Sequence, residues 1–161
     1  MKSLTSSLAS LADDIGKLVL RVFLAIAIFP HGAQKVLGTF GGDGLSATWT
    51  SFTETMKITP VVAALTIFAE FLAPIFLAFG LFTRIAAALL AVVMALAASA
   101  RMDNGFFLNW DGVQNGEGME FHLLLAGTAL AIVLIGGGNC SLDRFLRGYR
   151  KGASDSDSDG E

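Results

Sequence analysis

Four runs of this chain stay apolar long enough for a helix to cross a hydrocarbon core, and nothing else in the sequence constrains the fold as strongly. A crossing takes ~20 helical residues. The runs fall at about Gly16–Val36, Pro60–Phe82, Ile85–Ala100 and Glu120–Gly136. Hydrophobic residues fill 53% of the 161 positions, and the mean hydropathy is +0.63. A water-soluble domain of this size needs less apolar material, so the surplus calls for lipid as solvent. The expected fold class is all-α, a four-transmembrane-helix bundle. Only Thr83-Arg84 separate the second and third runs, which makes them an antiparallel hairpin. The first connection, Leu37–Thr59, carries Gly38, Gly41, Gly42 and Gly44 and reads as a loop with a short helix near Thr48–Met56. The last, Arg101–Met119, is polar, with Asn109 and Trp110 at its centre.

The placement of Lys and Arg orients the bundle. Lys2, Lys17, Arg21, Arg84, Arg144, Arg147, Arg150 and Lys151 share one side, against Lys35, Lys57 and Arg101 on the other. Both termini are therefore expected in the cytoplasm. A cleaved signal peptide is disfavoured, because Arg21 interrupts the run that would be its apolar core and no A-x-A site follows in a polar context.

Amphipathic segments flank the bundle. Leu4, Leu8, Leu11 and Ile15 recur at helical spacing before the first run. After the fourth, Leu142, Phe145, Leu146 and Tyr149 oppose Arg144, Arg147 and Arg150, the pattern of an interfacial helix, with Ser141 placed as its N-cap. A plain continuation of the span is the alternative. The chain thus divides into a cytoplasmic amphipathic segment (1–15), a membrane domain (16–146) and a basic-then-acidic tail (147–161) whose Ser154–Asp159 run is expected to be disordered.

Composition also excludes. No basic stripe interleaved with aromatics exists, so nucleic acid is not an expected partner. Cys140 is the single cysteine, which excludes a disulfide framework, a CxxC pair and an all-thiolate metal site.

Ionisable groups within a span need a partner or a purpose. Glu70 sits near the middle of the second run, and Arg21 enters the first about one and a half turns in. The expected outcome is an Arg21–Glu70 ion pair, either a lock on helix register or part of a proton or substrate site. His31 and Lys35 form an i, i+4 pair, and Lys35 lies within ~40° of Arg21 around the axis. Arg21, Ile28, Gly32 and Lys35 then outline one seam, with Pro30 removing a backbone donor beside it. The alternative is a frayed helix end with Lys35 snorkelling to the interface.

Glu120 and His122 are ~160° apart around the fourth helix, so one of them faces inward and the other does not. A polar cluster of His31, Lys35, Glu117 and Glu120 under the Asn109–Trp110 loop is expected, with Glu120 meeting Lys35. Trp110 also reads as an interfacial anchor. Haem on His31 and His122 is geometrically open but has no other support; no other metal site is expected.

The stretches His31-Gly32-Ala33-Gln34-Lys35 with Gly41-Gly42, Glu70-Phe71-Leu72 and Gly80-Leu81-Phe82-Thr83-Arg84 occur in that order. Asn104-Gly105-Phe106-Phe107, Gly118-Met119-Glu120-Phe121-His122-Leu123-Leu124 and Gly138-Asn139-Cys140-Ser141-Leu142-Asp143 follow. In order and spacing they resemble the DoxX family of small bacterial membrane proteins, from about Arg21 to Leu146; Cys140 departs from the family's pattern. The resemblance implies a four-span bundle and an accessory part in membrane oxidoreduction beside a catalytic partner, with quinone chemistry among the activities attached to the family. On that reading His31 or Lys35 donates to a quinone carbonyl while Glu70 or Glu120 relays protons. The chain has no evident electron carrier, so a partner enzyme or a diffusible quinone must move electrons. The competing reading is a non-enzymatic scaffold or small transporter in which the ion pairs only lock helices. Neither substrate, cofactor, oligomeric state nor catalysis itself is legible in the residues.

Overall fold

The computed structural model describes residues 2–149. The acidic run 154–159 and the basic residues Arg150 and Lys151 lie outside the described residues. The described chain is all-α. The helices are α1 (Lys2–Leu37), α2 (Gly44–Thr50, continued by a π turn at Ser51–Thr55), α3 (Pro60–Phe79), α4 (Thr83–Ser99) and α5 (Glu120–Ile135), with a last helix, α6, over 142–149.

The last three apolar runs map onto α3, α4 and α5 to within a few residues, and the first lies within the longer α1. Both ends of α3 have a local cause. Pro60 opens α3 where a missing N–H costs nothing. Gly80 closes it in the left-handed conformation, φ 68°, with Gly80 N–H donating to Leu77 O at 3.0 Å and Leu81 N–H to Phe76 O at 2.8 Å. Those two bonds are a Schellman closure. The chain turns at once into α4, so α3 and α4 form the expected hairpin. α1 packs on α3 and α4 on α5, and contacts of α3 with α4 and α1 with α5 complete the bundle.

α1 does not divide at residue 15. It runs without a break from Lys2 through Pro30 to Leu37, about 54 Å of helix against a hydrocarbon core of about 30 Å. Leu8, Leu11 and Ile15 are exposed along its first turns.

Side-chain size is sorted inside the bundle. Ala25, Ala69, Ala73, Ala86, Ala87, Ala91, Ala126 and Ala129 are buried among a few larger residues such as Leu24, Ile28, Leu90 and Ile132. Phe23, Ile26, Leu65, Phe68, Phe79, Ile85, Val92, Leu124 and Leu134 point outward. Small residues at the contacts let the backbones approach closely, as in helices that associate within lipid. So wide an outward belt of large apolar side chains is the kind of exposed surface that marks contact with a membrane or another protein. By length and composition alone, α3 is the one described helix that suffices to cross a membrane. α4 and α5 are shorter apolar helices of 17 and 16 residues.

Candidate functional site

Two glycines set the register of α1 against α3. A Cβ at Gly32 would strike the Glu70 carbonyl oxygen and stand 2.6 Å from Phe71 Cα. At the other end, a Cβ at Gly80 would strike the Arg21 guanidinium and stand 2.6 Å from Ser141 Cβ. Gly32 is therefore level with Glu70, and Arg21 with Gly80. Ten residues along α3 separate those levels, about 15 Å of helix. The expected Arg21–Glu70 pair does not form, because the antiparallel register puts the two groups at opposite ends of the seam.

Glu70 is instead met by Lys35, one turn beyond Gly32, and the two form an ion pair. The Glu70 carboxylate is buried, and the Lys35 ammonium also lies 5.7 Å from the centre of the Phe52 ring, a cation–π distance. The sequence placed Lys35 and Glu70 in one seam but paired each with the wrong residue.

This pair borders a cavity of about 560 Å3. Ile28, Met94, Phe121 and Leu125 give it an apolar lining; His31, Lys35, Glu70, Arg101, Glu117 and His122 give it polar groups, and Leu108, Asn109 and Trp110 stand at its loop side. The Phe121 ring touches both imidazoles, with ring centres 6.1 Å from His31 and 5.9 Å from His122. His122 Nδ1 is shielded from solvent and has no hydrogen-bond partner among the described residues.

The choice between Glu120 and His122 thus falls to His122. Glu120 turns to the loop, where its Oε2 accepts from Leu108 N–H at 3.2 Å. The expected Lys35–Glu120 contact is absent, since each partner is already engaged elsewhere. Glu117 does reach the cavity and also accepts from Asn109 N–H at 2.9 Å. Asn109 exchanges bonds with Gln114 at 3.0 Å each way. Glu120 N–H donates to Phe106 O at 2.8 Å. The loop is therefore held in place over the bundle end. Trp110 is 84% exposed at its rim.

The opposite end of the bundle is tied by Arg21 and Ser141, together with Asp14, Asn139 and Asp143, to which sequence reasoning assigned no contact. Arg21 is fully buried, and its Nη2 donates to Cys140 O at 2.6 Å. Asp14 accepts from Asn139 N–H at 2.8 Å and from Asn139 Nδ2 at 2.7 Å. These bonds, with Lys17 nearby, hold the Asp14 carboxyl below its ordinary pKa. Asp143 caps α4 from a distant part of the chain, accepting from Phe82 N–H at 2.8 Å and Thr83 N–H at 2.9 Å. Partial burial opposes its charge, but the donors at Thr83 and Phe82 outweigh that and hold its pKa low as well. Ser141 Oγ accepts from Arg144 N–H at 3.3 Å, which makes it the N-cap of α6 as expected. Cys140 is exposed and unbridged. The signal for this end was the segment 138–143, in which only Ser141 had an expected role.

Among the described residues, no group of three or more His, Cys, Asp and Glu side chains is placed to hold a metal ion. Residues 16–110 match the family model described as DoxX, more than half of the chain. The match covers His31, Lys35, Glu70 and the loop as far as Trp110, while Glu117 and His122 lie beyond it. No curated protein and no solved structure matches the chain.

Proposed function

Because the chain belongs to the DoxX family of membrane proteins, we propose that it is a multi-pass component of the bacterial plasma membrane whose cavity receives a quinone headgroup. In this reading it assists a redox enzyme rather than carrying electrons itself. All four long helices cross the bilayer with both termini in the cytoplasm. The outward belt of large apolar side chains supports the crossing, and the excess of Lys and Arg at the hairpin end supports the orientation.

The observation that carries the proposal is the pairing of an apolar lining with convergent donors and proton-holding groups in one cavity. A quinone headgroup is flat and apolar with two carbonyl oxygens, and it supplies two-electron redox chemistry coupled to proton uptake. Phe121, Ile28 and Leu125 suit its ring. Lys35 and His31 are the donors for a carbonyl, and the unpartnered Nδ1 of His122 leaves a polar position for a second contact. Glu70, ion-paired with Lys35, is the carboxylate placed to give or take a proton. Glu120 has no part in this cavity, since its carboxylate serves the loop.

The test is isolation of the chain from native membranes with identification of the lipids and proteins that accompany it. Quinone and a redox enzyme should co-isolate with the wild type, and Glu70→Gln should lose the quinone while remaining folded. Isolation free of both quinone and any redox enzyme contradicts the proposal.

The ion pair of Lys35 and Glu70 is also complete without any ligand, and this favours a second reading as a scaffold. Under that reading Glu70→Gln retains full cellular function wherever the protein still assembles.

A further inference from the structure

A second cavity, about 570 Å3, opens at the hairpin end between α1, the start of α4, the 136–139 turn and α6. Lys17, Arg84, Arg144 and Arg147 outnumber Asp13, Asp14 and Asp143 in its lining. Asp13 pairs with Lys17, Asp14 is engaged by Asn139, and Asp143 caps α4. The carboxylates are thus satisfied by other donors, whereas Arg84, Arg144 and Arg147 line the same space with no ion-pair partner among the described residues. Arg84 Nη2 donates to Leu134 O at 3.3 Å and Arg147 Nε to Asp143 O at 3.2 Å, both neutral acceptors. Arg144 makes no side-chain hydrogen bond among the described residues. Gly136 keeps room for the Arg84 head group, since a Cβ there would stand 3.2 Å from Arg84 Nε.

Beside this basic cavity, α6 leaves Leu142, Phe145, Leu146 and Tyr149 exposed. An apolar strip next to three guanidinium groups that make no salt bridge among the described residues matches a ligand with a negative head and hydrocarbon tails. We infer that this cavity seats the phosphate of an anionic phospholipid, with the α6 strip lying along its acyl chains. Guanidinium groups recognise phosphate oxygens in a planar, two-point fashion, and a cation near an anionic lipid surface strengthens binding about fivefold per residue. The proposal goes beyond the quinone reading and needs only that the chain reside in a membrane.

Native mass spectrometry of the full chain in detergent, titrated separately with phosphatidylglycerol and phosphatidylcholine, reads the affinity directly. Phosphatidylglycerol should bind at least about tenfold more tightly than phosphatidylcholine. Arg144→Gln, which breaks no bond within the described fold, should weaken phosphatidylglycerol about fivefold and leave phosphatidylcholine unchanged. Arg147→Gln should do the same, with thermal melting as its check on folding. Equal affinity for the two lipids overturns the proposal, as does a phosphatidylglycerol preference that survives both substitutions. Displacement of phosphatidylglycerol by millimolar inorganic phosphate would assign the cavity to free phosphate and overturn the lipid assignment.

Discussion

Lys35 and Glu70 form an ion pair across the α1–α3 seam, level with Gly32 and open on one side to a cavity that also holds His31 and His122. The pair depends on register. Without a glycine at position 32 the two helices could not approach closely enough to bring the ammonium and carboxylate together. Removing one member leaves its partner without a counter-ion in an apolar bundle. Breaking a buried pair in this way costs about 3–5 kcal/mol, and the partial exposure of Lys35 places this pair at the lower end. Lys35→Met or Glu70→Leu alone should therefore lower the melting temperature in detergent. The double substitution should recover most of that loss.

Gly80 and Gly32 should tolerate nothing larger. Gly80→Ala meets both a left-handed backbone and the Arg21 guanidinium, and Gly32→Ala meets the Glu70 backbone. Each should cost more than about 3 kcal/mol in thermal or denaturant unfolding. Gly127→Ala is the control: nothing lies within 4 Å of its Cβ position, and alanine favours the helix by up to ~1 kcal/mol.

Acid should loosen the hairpin end. Asp14 and Asp143 both have pKa values held below the ordinary one, so each stabilises the fold in its charged form. That stability is fully present above the ordinary carboxylate value of ~3.9 and is lost as pH falls through the lower folded values. Melting temperature should be insensitive to these groups between pH 7 and 5 and should drop below about pH 4. Asp143→Asn, which preserves a capping oxygen, should remove part of the acid drop.

The loop over the cavity is held by two carboxylates. Hydrogen exchange at Leu108 and Asn109 should accelerate in Glu120→Ala and Glu117→Ala respectively, because each deletes the acceptor of that amide. Unchanged protection would mean that the amides are shielded by the loop's packing rather than by these bonds.

The helices were legible because their signal is local: run length, Pro60 at a start, Gly80 at an end. Contacts between helices were not, for a reason that Arg21 and Glu70 make plain. Reckoning depth from the ends of apolar runs treats each helix as centred on the membrane. Actual register is set by where backbones can touch, at Gly32 and Gly80, and a glycine does not announce which neighbour it admits. The angular exclusion of Glu120 and His122 was readable from helix geometry. Choosing between them required the loop, whose Leu108 amide draws Glu120 away. The ties made by Asp14, Asn139 and Asp143 link positions more than fifty residues apart, and no periodicity encodes such a contact.

Trp110 lines the cavity and offers a direct readout of ligand entry. In a Trp49→Phe background, which leaves Trp110 as the sole indole, a short-chain quinone titrated into the reconstituted protein should quench fluorescence saturably. Glu70→Gln or Lys35→Met should weaken that binding at least about tenfold. Quenching that is linear in quinone concentration, and the same in the wild-type cavity and both variants, would contradict the assignment of the cavity to a quinone.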